Sequence, residues 1–220
     1  TESMANPQKP RWLIVSYARS EAYVPLARVI LAKLGYSIVS AEEWEDLPTA
    51  DRDRTPDLRI VDERRLGEIP DADDLSEVPM IVLTGRHGVS GLDPRIVGAV
   101  ARPAGLHEIY RLIQQTIEDT PRSTPRVATH LPARGRNGER EWHGAVLSLS
   151  ENGCLLRTPE PLTLGAEIDL SFDLPRTGTI ETKAESAYQL VPDTGLIFHR
   201  TPAAAREAIL SFGEESRAVI

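Results

Sequence analysis

The sequence predicts two domains of different class. Residues 1–119 read as an α/β doubly wound parallel sheet, and residues 120–220 as an antiparallel β-barrel with a C-terminal helix. Three observations carry this. Short apolar runs alternate with helical stretches up to residue 119. Beyond it, strand-like segments follow one another with only turn signals between them. Between the two lies "DTPRSTP" (119–125), where two prolines break a helical run.

The elements follow in order. "RWLIVSYA" (11–18) is an unbroken apolar run of buried-strand length. "YVPLARVILAKLG" (23–35) has apolar residues at helical spacing. Pro25 fits only its first turn, and Gly35 ends it. "YSIVSA" (36–41), "DLRIVDE" (57–63) and "VPMIVLTG" (78–85) read as the next three strands, and "IVGAVARP" (96–103) as a fifth. "GLHEIYRLIQQTIED" (105–119) is an amphipathic helix. Such alternation implies parallel pairing with helices on both faces. One crossover is weak: "GRHGVSGLDPRIVG" (85–98) holds four glycines and a proline, leaving room for a turn or two of helix.

In the second half a strand-like run follows Pro125. After it come "EWHGAVLSLS" (141–150), "GCLLRT" (153–158), "EIDLSFDL" (167–174), "TIETKAESAYQLV" (179–191) and "TGLIFHR" (194–200). Turn signals such as "RNGER" and "LPRTGT" separate them. "PAAAREAILSFGEESR" (202–217) reads as a closing helix, with Pro202 near its start.

Composition narrows the function. A net charge of −8 argues against nucleic-acid binding. No apolar run approaches membrane-span length, and the N-terminus carries no charged-then-apolar leader. A single cysteine, Cys154, cannot form an intramolecular disulfide, so the expected location is cytoplasmic. Charge is unevenly placed: five of the 11 basic residues after position 119 fall between Arg122 and Arg140. No GxSxG elbow, GxxxxGK[ST] loop or HExxH is present, so a non-enzymatic protein is expected. His143 and His199 stand apart from any cluster, which disfavours a metal site. Cys154 reads as a buried structural thiol, and Trp12, Trp44 and Trp142 as packing residues.

Residues 11–118 resemble a response-regulator receiver domain. Asp62 ends the third strand, where receivers carry the phosphoacceptor. Thr84 ends the fourth, and Arg102-Pro103 follows the fifth in place of Lys-Pro. The first strand ends in Ser16-Tyr17 instead of the acidic residues that hold Mg²⁺, and that ion needs hard oxygen ligands. The resemblance therefore implies a pseudo-receiver that binds no Mg and serves protein contacts. Asp62, Thr84 and Arg102 would form a vestigial phosphoacceptor region.

Residues 122–216 resemble a PilZ domain, whose cyclic di-GMP signature is RxxxR followed by [D/N]xSxxG. "Arg122-Ser-Thr-Pro-Arg126" matches the first part. "Ser148-Leu-Ser150-Glu-Asn-Gly153" matches the second at Ser150 and Gly153, with Ser148 in place of Asp or Asn. Arginine can fork onto phosphate or onto the O6/N7 edge of guanine. Ser150 offers a hydroxyl, and Gly153 a close backbone approach. The resemblance implies a bacterial cyclic di-GMP effector acting in motility, pilus or biofilm control. Ligand closing on the arginines would then reorient the two halves. The alternative is a protein-interaction scaffold whose PilZ domain has lost the nucleotide.

Overall fold

The computed structural model describes residues 12–48, 52–69, 77–90, 93–118 and 126–218. In the first half the strands are β1 (Trp12–Tyr17), β2 (Tyr36–Ser40), β3 (Leu58–Asp62), β4 (Met80–Thr84) and β5 (Ile96–Ala101). In the second they are β6 (Val127–Asn137), β7 (Arg140–Ser150), β8 (Gly153–Arg157), β9 (Glu167–Leu174), β10 (Gly178–Leu190) and β11 (Asp193–Arg200). The helices are α1 (Ala27–Lys33), α2 (Ala41–Glu45), α3 (Leu106–Ile117) and α4 (Ala203–Ala218).

All these strands join one 11-stranded sheet, in the order β11-β8-β7-β6-β9-β10-β5-β4-β3-β1-β2. A further β10–β11 pairing closes the second half into a six-stranded antiparallel barrel. β1 to β5 pair in parallel. β5 then takes β10 antiparallel, with Gln189 opposite Ala99 and Leu190 opposite Gly98.

This corrects the expected doubly wound α/β half. The molecule is mostly β, and its first half is a β-rich layer continuous with the barrel. The helices needed to clothe both faces are missing among the described residues. The stretch after β3 winds as a 3-10 turn (Glu63–Glu68), and α2 has five residues. The described residues of the glycine-rich stretch after β4, 85–90 and 93–95, form turns and irregular chain, because repeated glycine and proline make a helix there too costly. α1 and α3 supply Ala27, Leu31, Ile109, Leu112 and Ile113 to one core, against Ile14, Leu58, Ile60 and Leu83 of the strands. Among the described residues, the opposite face keeps a small cluster around Val61, Ile69 and Met80. The receiver resemblance falls with the doubly wound fold.

The barrel has its own core, in which Val146, Leu149, Cys154, Leu156, Leu170, Phe172 and Leu196 meet beneath Ile209 of α4. α4 thus closes the barrel, as its position in the sequence suggests. Among the described residues no helix is long and apolar enough to cross a membrane.

Candidate ligand site on the barrel

The candidate site is built by a break in strand rhythm. On β7, Val146 and Leu149 both enter the barrel core although three residues apart. Strict alternation would send them to opposite faces. The β7–β8 register shifts between Val146 and Ser148, and the β6–β7 register between Ala128 and Leu131. These bulges turn Ser148 and Ser150 onto the outer face beside Leu155 and Gly153 of β8. The register then forms two rows. Ala128, Ser148 and Leu155 lie side by side, and one step along Ser150 pairs with Gly153. Arg126 stands one residue before the Val127–Leu149 pair, level with Ser150.

The structure therefore brings Arg126, Ser148, Ser150 and Gly153 together. Arg122 lies outside the described residues. Arg126 is half-buried, and its Nη2 is fully buried with no hydrogen-bond partner among the described residues. Ser148 is half-buried. Ser150 is buried, and its Oγ donates to the Gly153 carbonyl at 3.1 Å. Gly153 is required by the neighbouring strand: a Cβ there would come within 2.2 Å of the Leu196 carbonyl oxygen. Asn152 anchors the turn through its carbonyl, which accepts from Phe198 N–H at 2.9 Å.

Two residues of this site have no counterpart in the signature. Glu151, inside the turn, accepts from Arg206 of α4 at 2.6 Å through Nε and also through Nη2. The closing helix thus holds the turn that carries Ser150 and Gly153. The 55-residue separation of this pair hides it from any local reading. Cys154 is fully buried, and burial pushes its thiol up to about 12, as expected of a structural cysteine.

In the first half, Asp62, Thr84 and Arg102 do meet at one end of the sheet. Arg102 Nη1 donates to Asp62 at 3.0 Å and to the Leu83 carbonyl at 2.7 Å, and its Nη2 donates to Glu63 at 2.6 Å. Arg64 grips Asp62 with Nε at 2.9 Å and Nη2 at 2.6 Å, and adds its backbone N–H. Thr84 Oγ1 donates to the Gly85 carbonyl. The side chain and backbone N–H of Arg64, with the charge of Arg102 behind, hold the Asp62 carboxyl at about 2 against a burial effect of opposite sign. Both carboxylate oxygens are spent on guanidinium groups. Ser16, at the end of β1, pairs with the Tyr23 hydroxyl at 2.6 Å. The sequence pattern does not single out Arg64 or Glu63, although both adjoin Asp62.

Comparison with known proteins agrees with the second half. The PilZ domain family matches residues 120–212. No curated protein matches the chain. Among solved structures, the inhibitor of motility MotI/DgrA from Bacillus subtilis is similar at 18% identity and a TM-score of 0.40, over 46% of this chain and 52% of that one. A complex of K. pneumonia MrkH with c-di-GMP is similar at 16% identity and a TM-score of 0.38, over 45% of this chain and 52% of that one. The PilZ domain of Escherichia coli YcgR with c-di-GMP shares 16% identity at a TM-score of 0.36, over 46% of this chain and 97% of that one. The match spans about half the length of the first two of these proteins. Residues 120–212 of this chain are a PilZ domain.

Proposed function

We propose that this chain is a cyclic di-GMP effector in bacterial signalling, acting by binding and not by catalysis. The PilZ domain supplies the class, and one observation carries the reading: the buried Nη2 of Arg126, which has no hydrogen-bond partner among the described residues, on a residue whose backbone stands level with Ser150. Leaving a charged donor buried and unpaired costs roughly 1–3 kcal/mol or more. A phosphate oxygen or the O6/N7 edge of guanine would relieve that cost with a charge-assisted or forked bond. Ser148 and the Ser150–Gly153 turn form the floor beneath it, and Arg122 is the second arginine of the pair. Motility, pilus or biofilm control is the setting that the PilZ family implies.

A second reading is a scaffold without nucleotide. It is favoured by the internal roles of the two matching residues, since Ser150 bonds the Gly153 carbonyl and Gly153 makes room for Leu196. Titration calorimetry with cyclic di-GMP separates the two. Wild type should bind, and Arg126→Ala should weaken binding at least about tenfold, the loss of one charge-assisted contact. Ser148→Asp should tighten it by roughly three- to thirtyfold, because a carboxylate offers guanine N–H groups an ionised acceptor. No binding by any of the three proteins leaves the scaffold. Binding indifferent to Arg126→Ala places the nucleotide elsewhere.

A further inference from the structure

The glycine-rich stretch after β4 plays no part in the ligand site, yet it is built around a specific neighbour. Gly88 has φ +71°, and a Cβ on it would come within 2.3 Å of Gln189 Oε1. A Cβ on Gly98 would come within 2.7 Å of the Gln189 carbonyl oxygen. Two of the four glycines in 85–98 therefore clear space for one residue of β10. Gln189 is buried and fills that space with a bond, its Oε1 accepting Val89 N–H at 2.9 Å.

The contacts on either side of Gln189 run both ways. Arg86 donates through Nε to the Leu164 carbonyl at 3.0 Å and through Nη2 to the Gly165 carbonyl at 3.2 Å, and its own carbonyl accepts Leu164 N–H at 2.8 Å. Val191 N–H donates to the Val97 carbonyl at 3.1 Å. The buried Ala187 and Tyr188 of β10 belong to the core under α1 and α3, not to the barrel core. Tyr188 lies over Gly195, where a Cβ would strike its ring, and its hydroxyl accepts from Gln115 of α3 at 3.1 Å. Backbone pairing, a buried amide, a guanidinium and a shared core thus join the halves. A hinge between two domains instead needs a boundary that few contacts cross.

We infer that residues 85–90 and 96–98 form a socket for the end of β10, and that this latch holds the two halves as one body with no hinge between them. Gly88 and Gly98 are glycines there because a Cβ on either would collide with Gln189. It follows that a ligand on the outer face of the barrel does not act by swinging the first half about the 119–125 connection. That consequence rests on the nucleotide reading above; the latch itself does not.

Residual dipolar couplings of backbone amides in the full chain provide the test. Without ligand, couplings from β1–β5 and from β6–β11 should fit a single alignment tensor. Gly88→Val, which drives a side chain into Gln189, should split them into two. Gln189→Ala removes the same contact without adding bulk and should do likewise, so a folding failure of the valine variant leaves the test intact. Two tensors in the wild type would overturn the latch. A single unchanged tensor in the folded variants would overturn the assignment of Gly88 and Gln189 to it. With cyclic di-GMP added and binding shown by shifts at Arg126 and Ser148, the single tensor should persist; a split on binding would refute the absence of a hinge. Absence of those shifts would count against the nucleotide reading alone.

Discussion

At the scale of single residues, Asp62 and Arg126 are opposites. Asp62 is a buried carboxylate with every partner it needs, while Arg126 carries a buried donor with none among the described residues. The first makes a pH prediction. Asp62 sits at about 2 when folded, below its ordinary 3.8, so the stability it contributes is fully present above about pH 4 and is lost as pH falls toward 2. The full contribution is about 2.5 kcal/mol at most, since a tenfold change in proton affinity is about 1.4 kcal/mol. Urea unfolding at pH 6 and pH 2.5 should show wild type losing about 1.5 kcal/mol more than Asp62→Asn, since pH 2.5 still lies above the folded value. Equal losses would mean that the arginine grip is worth little in solution.

Among the elements, the β7–β8 hairpin explains why the signature residues are where they are. Ser150 and Gly153 are first of all a turn, tied to α4 by Glu151 and Arg206 and to β11 by close backbone approach. Gly153→Ala should therefore destabilise the barrel with no ligand present. Either β8 or β11 must move to relieve a 2.2 Å contact, and strain of this kind costs about 1–3 kcal/mol. Chemical denaturation followed by tryptophan fluorescence measures it. A fully stable Gly153→Ala protein would show that the strands can separate freely and that the fold does not require glycine at 153.

For the molecule as a whole, the two cores are unequal in what they borrow. The barrel core draws its buried residues from positions 133–209. The other core includes Ala187 and Tyr188, with Leu190 and Ile197 packed against it, all from the second half. Fragment 120–220 should thus keep its β circular dichroism and melt cooperatively. Fragment 1–119 loses those side chains and the strand paired with β5, and should be largely unfolded or aggregate through that bare edge. If fragment 1–119 melts cooperatively as a monomer, its dependence on β10 is refuted.

How much of this was legible depends on how far apart the interacting residues lie. Strand and helix positions could be read because they rest on local periodicity: "MIVLT" and "EIDLSFDL" must bury their apolar residues wherever they are placed. The PilZ signature was legible because its two parts stand in chain order, and Cys154 because an apolar strand around one thiol implies burial. Periodicity is silent on partners. It could not show that β5 would pair with β10, that Tyr188 would leave the barrel for the other core, or that Arg64 would turn back onto Asp62. Nor could it tell a degenerate crossover helix from a socket, since both read as glycine. By itself the sequence determined the local elements and the PilZ character of the second half. Only the tertiary structure decided that the two halves share one sheet, because that outcome depends on edges and close approaches between residues nearly a hundred positions apart.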